Sequence, residues 1–105
     1  MKNFILVLML FSFMGCASLA GPSKKEKQTY VDSHFYLTSQ VRQCILEGKI
    51  TKGMTMEEVI ASWGRPRDIN KSVGSWGVHE QWVYGGTSHT SYLYFENGTL
   101  TSWQN

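Results

Sequence analysis

The sequence predicts a small α+β domain in which two short N-terminal helices pack on one face of a three- to four-stranded antiparallel sheet. Three observations carry this reading. GMTMEEVIASWGRP, residues 53 to 66, holds a complete set of helix start and stop signals. Asn97-Gly98 sits between two alternating runs, the strongest short-range hairpin signal. An apolar leader removes the first residues from the fold.

The leader runs from Phe4 to Met14 and is apolar apart from Ser12. At a helical rise of about 1.5 Å per residue it covers about half of a hydrocarbon core roughly 30 Å thick. With Lys2 before it and small residues after it, the run has the layout of a secretory signal peptide. Phe13-Met14-Gly15-Cys16 resembles the lipobox of bacterial lipoproteins, with Gly15 and Cys16 in place and Phe13 and Met14 off the usual pattern. On this resemblance residues 1–15 are a lipoprotein signal peptide, Cys16 is the lipid attachment site, and residues 30–105 form the folded domain. Residues 16–29, ending in the polar, lysine-rich GPSKKEKQT, are expected to be a flexible tether. Cleavage after Ala20 within Ser18-Leu19-Ala20 is the alternative, and it would release a soluble protein. Each buried methylene of an acyl chain contributes about 0.8 kcal/mol, so more than one chain is needed for lasting attachment. The lipoprotein resemblance implies three. Ala17 after the cysteine implies the outer membrane of a Gram-negative envelope, periplasmic face.

Composition narrows the function classes. The net charge of +2 comes from the leader and tether, because residues 30–105 carry six Lys and Arg against seven Asp and Glu. Such a domain offers no basic face to a nucleic-acid backbone. With Cys16 acylated, Cys44 has no disulfide partner and reads as a small buried hydrophobe. A domain of this size rests on a core leaving about 3–5 kcal/mol of net stability. Eleven aromatic residues after position 29 supply its bulk.

Each element has local causes. Thr55 caps a helix and Glu58 returns the bond, with Met54 and Val59 as a hydrophobic staple. Gly64 and Pro66 stop that helix, and Met56, Val59, Ile60 and Trp63 share one face, Trp63 as anchor. Upstream, Thr38 or Ser39 caps a helix that runs to about Glu47 and stops at Gly48, with Val41, Cys44 and Ile45 on one face. Residues 68–73 and 78–84 form a first hairpin, in which Val73 faces Val78, Lys71 faces Glu80 and Ile69 faces Trp82. In the second, Glu96 faces Thr99 and Phe95 faces Leu100. Regular pairing continues with Tyr94 on Thr101, Leu93 on Ser102 and Tyr92 on Trp103. This separates an aliphatic face of Leu93, Phe95 and Leu100 from an aromatic face of Tyr92, Tyr94 and Trp103. Residues 85–91 read as a mobile polar connection.

Gly53-Met54-Thr55, Glu58-Val59, Gly64, Pro66, Gln81-Trp82-Val83-Tyr84, Leu93-Tyr94-Phe95, Asn97-Gly98 and Leu100 together resemble the SmpA/OmlA (BamE-like) family of small outer-membrane lipoproteins. The resemblance spans roughly residues 41 to 103. It implies an ααβββ arrangement, a lipid anchor and an accessory, scaffolding role in outer-membrane β-barrel assembly. The extended stretch before the first helix in the best-known member of that family has no clear counterpart in Tyr30 to Leu37, and no partner-binding residue is carried over.

Catalytic and metal-binding chemistry finds no pattern. His34, His79 and His89 lack ligand spacing, Ser88-His89 adjacency does not make a nucleophile and base, and Glu57 and Glu58 serve the start of a helix. No catalytic residue, metal or cofactor is expected. The expected partners are the membrane, through the anchor, and envelope proteins, rather than nucleic acid or a small-molecule substrate. Tyr92, Tyr94 and Trp103, joined by Trp76 at the tip of the first hairpin, form the expected partner-binding surface. The alternative is that the tether, or Tyr30 to Tyr36, folds back over that face.

Overall fold

A computed structural model describes residues 21–86 and 88–105. The expected signal peptide, the expected lipid attachment site Cys16 and the alternative cleavage point after Ala20 lie outside the described residues. Three helices, α1 (Lys24–Ser33), α2 (Ser39–Glu47) and α3 (Met56–Trp63), precede four strands, β1 (Asp68–Gly74), β2 (Gly77–Gly85), β3 (Thr90–Glu96) and β4 (Thr99–Gln104). The strands form one open antiparallel sheet in sequence order. The α+β arrangement is the expected one, with a helix added at its start.

That added helix corrects the tether reading, because the chain is helical from Lys24. Ser23 accepts from the Glu26 amide at 3.2 Å while the Glu26 carboxylate accepts from the Ser23 amide at 3.3 Å, a full capping box. Gln28 donates to Asp32 at 2.9 Å one turn on. At the far end Val31 is buried and Tyr30 packs on the core. Average composition hid a helix whose first lysines, Lys24 and Lys25, face solvent and whose apolar residues are confined to the last turn.

The other helices follow their local signals. Thr38 accepts from the Val41 amide at 3.2 Å, and Gly48 closes α2 in the left-handed conformation at φ 71°. In α3 the Thr55–Glu58 capping box is present, with bonds of 2.9 and 3.2 Å. Gly64 ends α3 at φ 87° and ψ −173°, a mirror-extended conformation open only to glycine rather than the left-handed helical one. Ser62, buried on α3 among apolar neighbours, donates to the Lys49 carbonyl at 2.6 Å and so ties α3 to the end of α2.

One sheet face and the helices enclose the core. Ile45, Met54, Val59, Leu93, Phe95 and Leu100 are almost fully buried, and Trp82 lies tilted on Phe95 at 4.5 Å between ring centres. Chain just before α3 is stitched to β4: Gly53 donates its N–H to the Leu100 carbonyl at 2.9 Å, and Leu100 donates to Met54 at 2.8 Å. Residues 53–55 thereby cover the start of the β4 edge, at Thr99 and Leu100.

The first hairpin has the expected register throughout, including Val73 on Val78, Lys71 on Glu80 and Ile69 on Trp82. The second begins as expected, Glu96 on Thr99 and Phe95 on Leu100, around Asn97 and Gly98 at φ 51° and 84°. Beyond that the register shifts by one residue, so Tyr94 faces Ser102, Leu93 faces Trp103 and Tyr92 faces Gln104. Thr101 is the extra residue of a bulge, and its hydroxyl donates to the Tyr94 carbonyl at 3.1 Å. The shift turns the Trp103 indole onto the helix side, against the core. Burial of a large aromatic surface favours that side over continued regular pairing.

Replacing Ser62→Ala leaves the Lys49 carbonyl without its side-chain donor. The expected loss is about 1–2 kcal/mol, read as a thermal midpoint lower by roughly 4–8 °C per kcal/mol in a domain of this size.

Candidate binding surfaces

The register decides which side chains share a surface. On the helix side lie Ile69, Lys71 and Val73 of β1, Val78, Glu80, Trp82 and Tyr84 of β2, and Leu93 and Phe95 of β3. On the open side lie Asn70 and Ser72, His79, Gln81 and Val83, Tyr92 and Tyr94, and Ser102 and Gln104.

The expected aromatic surface is therefore divided. Tyr92 and Tyr94 are on the open face, Trp103 is on the opposite one, and Trp76 stands at the tip of the first hairpin. Tyr94 belongs to a row of polar side chains, one from each strand. Asn70 donates to Gln81 at 2.9 Å, Gln81 reaches the Tyr94 hydroxyl at 3.5 Å, and that hydroxyl donates to Gln104 at 3.0 Å. Beside this row His79 and Glu96 approach to 3.8 Å. Asn70, Gln81 and Tyr94 of the row line a shallow open depression of about 360 Å³ with Ser72 and Ser102. Its amides and hydroxyl are spent on one another, and the result is a polar face instead of an aromatic one.

Nor does Tyr30 to Tyr36 fold over the open face. Tyr30 packs on the helix-side core, its ring stacked on His34 at 3.9 Å, while Phe35 and Tyr36 remain exposed between α1 and α2. Cys44 packs against the core from α2, half-buried, in keeping with its reading as a small hydrophobe. Among the described residues no group of three or more His, Cys, Asp or Glu side chains is placed to hold a metal ion. No described helix is long and apolar enough to cross a membrane.

Exposed apolar surface lies at Phe35 and Tyr36 between α1 and α2, at Leu46 on α2, on the open face at Tyr92, and along β1 and its turn. Ile69 is 47 %, Val73 66 % and Trp76 55 % exposed. Ile69 and Val73 point to the helix side, yet β1 is exposed along its whole length because the helices lie over the other strands. Trp76 lies across Gly74, where an added Cβ would come within 2.3 Å of the ring, so only glycine admits this packing. Composition could not single out this strip, because the exposure of Ile69 and Val73 depends on where the helices stop.

At the opposite end of the sheet a clamp joins the helices to β2. The Tyr84 hydroxyl donates to the Gly64 carbonyl at 2.7 Å, and its ring meets Trp63 edge-on at 5.2 Å. Trp63 in turn donates from Nε1 to the Gly48 carbonyl at 2.8 Å, so it anchors α3 as expected. Burial raises the Tyr84 pKa well above the usual tyrosine range. Tyr30 is pushed up to about 12, first by burial and then by the charges of Glu58, Tyr36 and Glu57.

No protein-family model matches the chain, and no curated protein or solved structure matches it either.

The two raised tyrosines set an alkaline limit. Each binds its proton more tightly folded than unfolded, so their contribution is complete below the ordinary tyrosine pKa of about 10 and declines as pH rises above it. Thermal midpoints should fall between about pH 10 and 12. Tyr84→Phe should cost about 1–2 kcal/mol of stability at neutral pH for the orphaned Gly64 carbonyl, seen as a lower thermal midpoint, and should make the alkaline decline shallower.

Proposed function

We propose that the chain is a lipid-anchored protein of the bacterial envelope, held at the periplasmic face of the outer membrane through Cys16. There it acts as a non-catalytic protein-binding or scaffold module. The resemblance to the SmpA/OmlA family supports an accessory role beside outer-membrane β-barrel assembly. The order of helices before an open antiparallel sheet accords with that role.

The observation that supports tethered action most is how soon the folded body follows Cys16. Gly21 and Pro22 already pack on the end of α3: a Cβ added to Gly64 would lie 3.3 Å from Gly21 Cα and 3.3 Å from Pro22 Cδ. Five peptide links separate Cys16 from Gly21. Fully extended, they reach at most about 18 Å. A lipid on Cys16 would therefore hold the Gly64 end of the domain beside the headgroups instead of on a long leash. Flanking the docking point in sequence, the exposed Lys24, Lys25, Arg65 and Arg67 outnumber the exposed Glu26 and Asp68, a balance that suits an anionic surface.

Expression of the full chain in a Gram-negative host, followed by membrane fractionation and mass spectrometry of the mature N-terminus, tests this reading. A diacylglyceryl-modified Cys16 in the membrane fraction, lost to the soluble fraction in Cys16→Ala, is the expected result. A mature chain beginning at Gly21 and dissolved in the periplasm would instead support a secreted soluble inhibitor or binding protein.

A further inference from the structure

We infer that the β1 edge, residues Ile69 to Val73, receives an extended segment of a partner protein as a fifth strand, and that this segment carries a carboxylate between two apolar side chains. The inference rests on the reading of the chain as a binding module and is independent of the lipid.

The two edges of the sheet are treated differently. The start of the β4 edge is occupied, because Gly53 and Met54 bond both main-chain groups of Leu100. No described segment lies along β1. Its outward groups follow from the turn. Gly74 pairs with Gly77 across the two residues Ser75 and Trp76, so Ser72 and Asn70 also bond to β2. Val73, Lys71 and Ile69 then direct their N–H and C=O away from the sheet. The Ile69 amide bears this out: it donates to the Asp68 side chain at 2.9 Å, outside the ladder. The N–H and C=O of Lys71 and Val73 and the carbonyl of Ile69 are left to make main-chain bonds with a strand laid beside them.

The side chains above that edge state what the strand should carry. Ile69 and Val73 stand exposed two positions either side of Lys71, all on the helix side, with Trp76 beyond them. Apolar side chains on the incoming strand would shield Ile69 and Val73. Lys71 takes part in no ion pair within 4 Å among the described residues, although Glu80 lies opposite it. Glu80 accepts from the Trp82 indole at 2.9 Å, which draws its carboxylate inward along β2. The lysine is thus available to a carboxylate arriving at the edge. A second copy of this chain fits less well: pairing Ile69 with Val73 across a two-fold axis would set Lys71 against Lys71.

The probe is a blocked peptide of roughly seven residues, with valine, glutamate and valine alternating with threonines. It is titrated into the full isotope-labelled chain, purified in detergent if it partitions to membranes and in buffer if it does not. Saturable amide shifts confined to residues 69–73 and 76 are expected. Lys71→Pro removes one outward N–H and no β1–β2 bond, so it should weaken binding about tenfold or more. Lys71→Glu keeps the strand and should reverse the preference, so that a lysine-centred peptide binds better than the glutamate one. Absent or non-saturable shifts, equal binding by Lys71→Pro with its melting profile intact, or an unchanged preference in Lys71→Glu would overturn the inference. So would a concentration-dependent dimer abolished by Lys71→Pro, since the occupant would then be a second copy. Failure here would leave the fractionation result standing, and failure of lipidation would leave this one standing.

Discussion

Two main-chain hydrogen bonds join the helical layer of this molecule to its sheet: Gly53 N–H to the Leu100 carbonyl, and Leu100 N–H to the Met54 carbonyl. Their position accounts for much of what surrounds them. They place Met54 and, one turn on, Val59 over Leu93, Phe95 and Leu100, which makes the core. They fix α3 so that its far end meets Tyr84, and Trp63 and Ser62 then bind the last turn of α2 through the Gly48 and Lys49 carbonyls. Short helices of eight to ten residues would not persist alone in water; here α2 and α3 are tied together through Ser62 and Trp63, and α1 is held by packing Val31 and Tyr30 on the core. The same stitching places the helices over the β2 to β4 side of the sheet, which is why β1 stays exposed.

What was legible in the sequence divides along the line between local and tertiary causes. The bounds of α2 and α3, both turns and the register of the first hairpin depend on neighbours a few residues away, and the caps and Asn97-Gly98 express them directly. α1 has an equally local cue in Ser23 and Glu26. A segment average dominated by Lys24, Lys25 and Lys27 conceals it, because the helix needs apolar contact only at Tyr30 and Val31. The face occupied by Trp103 could not be read at all. A bulge at Thr101 reverses it, and nothing in the alternation of Leu100 to Gln104 requires one. The buried serine of α3 was equally hidden, since its value lies in the Lys49 carbonyl.

The two sides of the sheet also differ in how their polar groups are satisfied. On the open side Asn70, Gln81, Tyr94 and Gln104 bond to one another across all four strands, which reinforces the pairing without need of a ligand. The pairing of Asn70 with Gln81 was implicit in the first hairpin's register; the continuation through Tyr94 depended on the bulge that brings Gln104 opposite Tyr92. On the other side the exposed groups of β1 are neither mutually bonded nor covered by a helix.

The docking of Gly21 and Pro22 on Gly64 also sets which end of the molecule an anchor at Cys16 would hold. Gly64 lies four residues before β1 and bonds to Tyr84 beside the start of that strand. β1 therefore rises from the docking point for about 20 Å at the usual advance per strand residue. Held by a lipid at Cys16, the sheet would have its Tyr84 end nearest the point of attachment and its tryptophan tip at the other end of the bare margin. A neighbour could engage that margin lengthwise without touching the lipid.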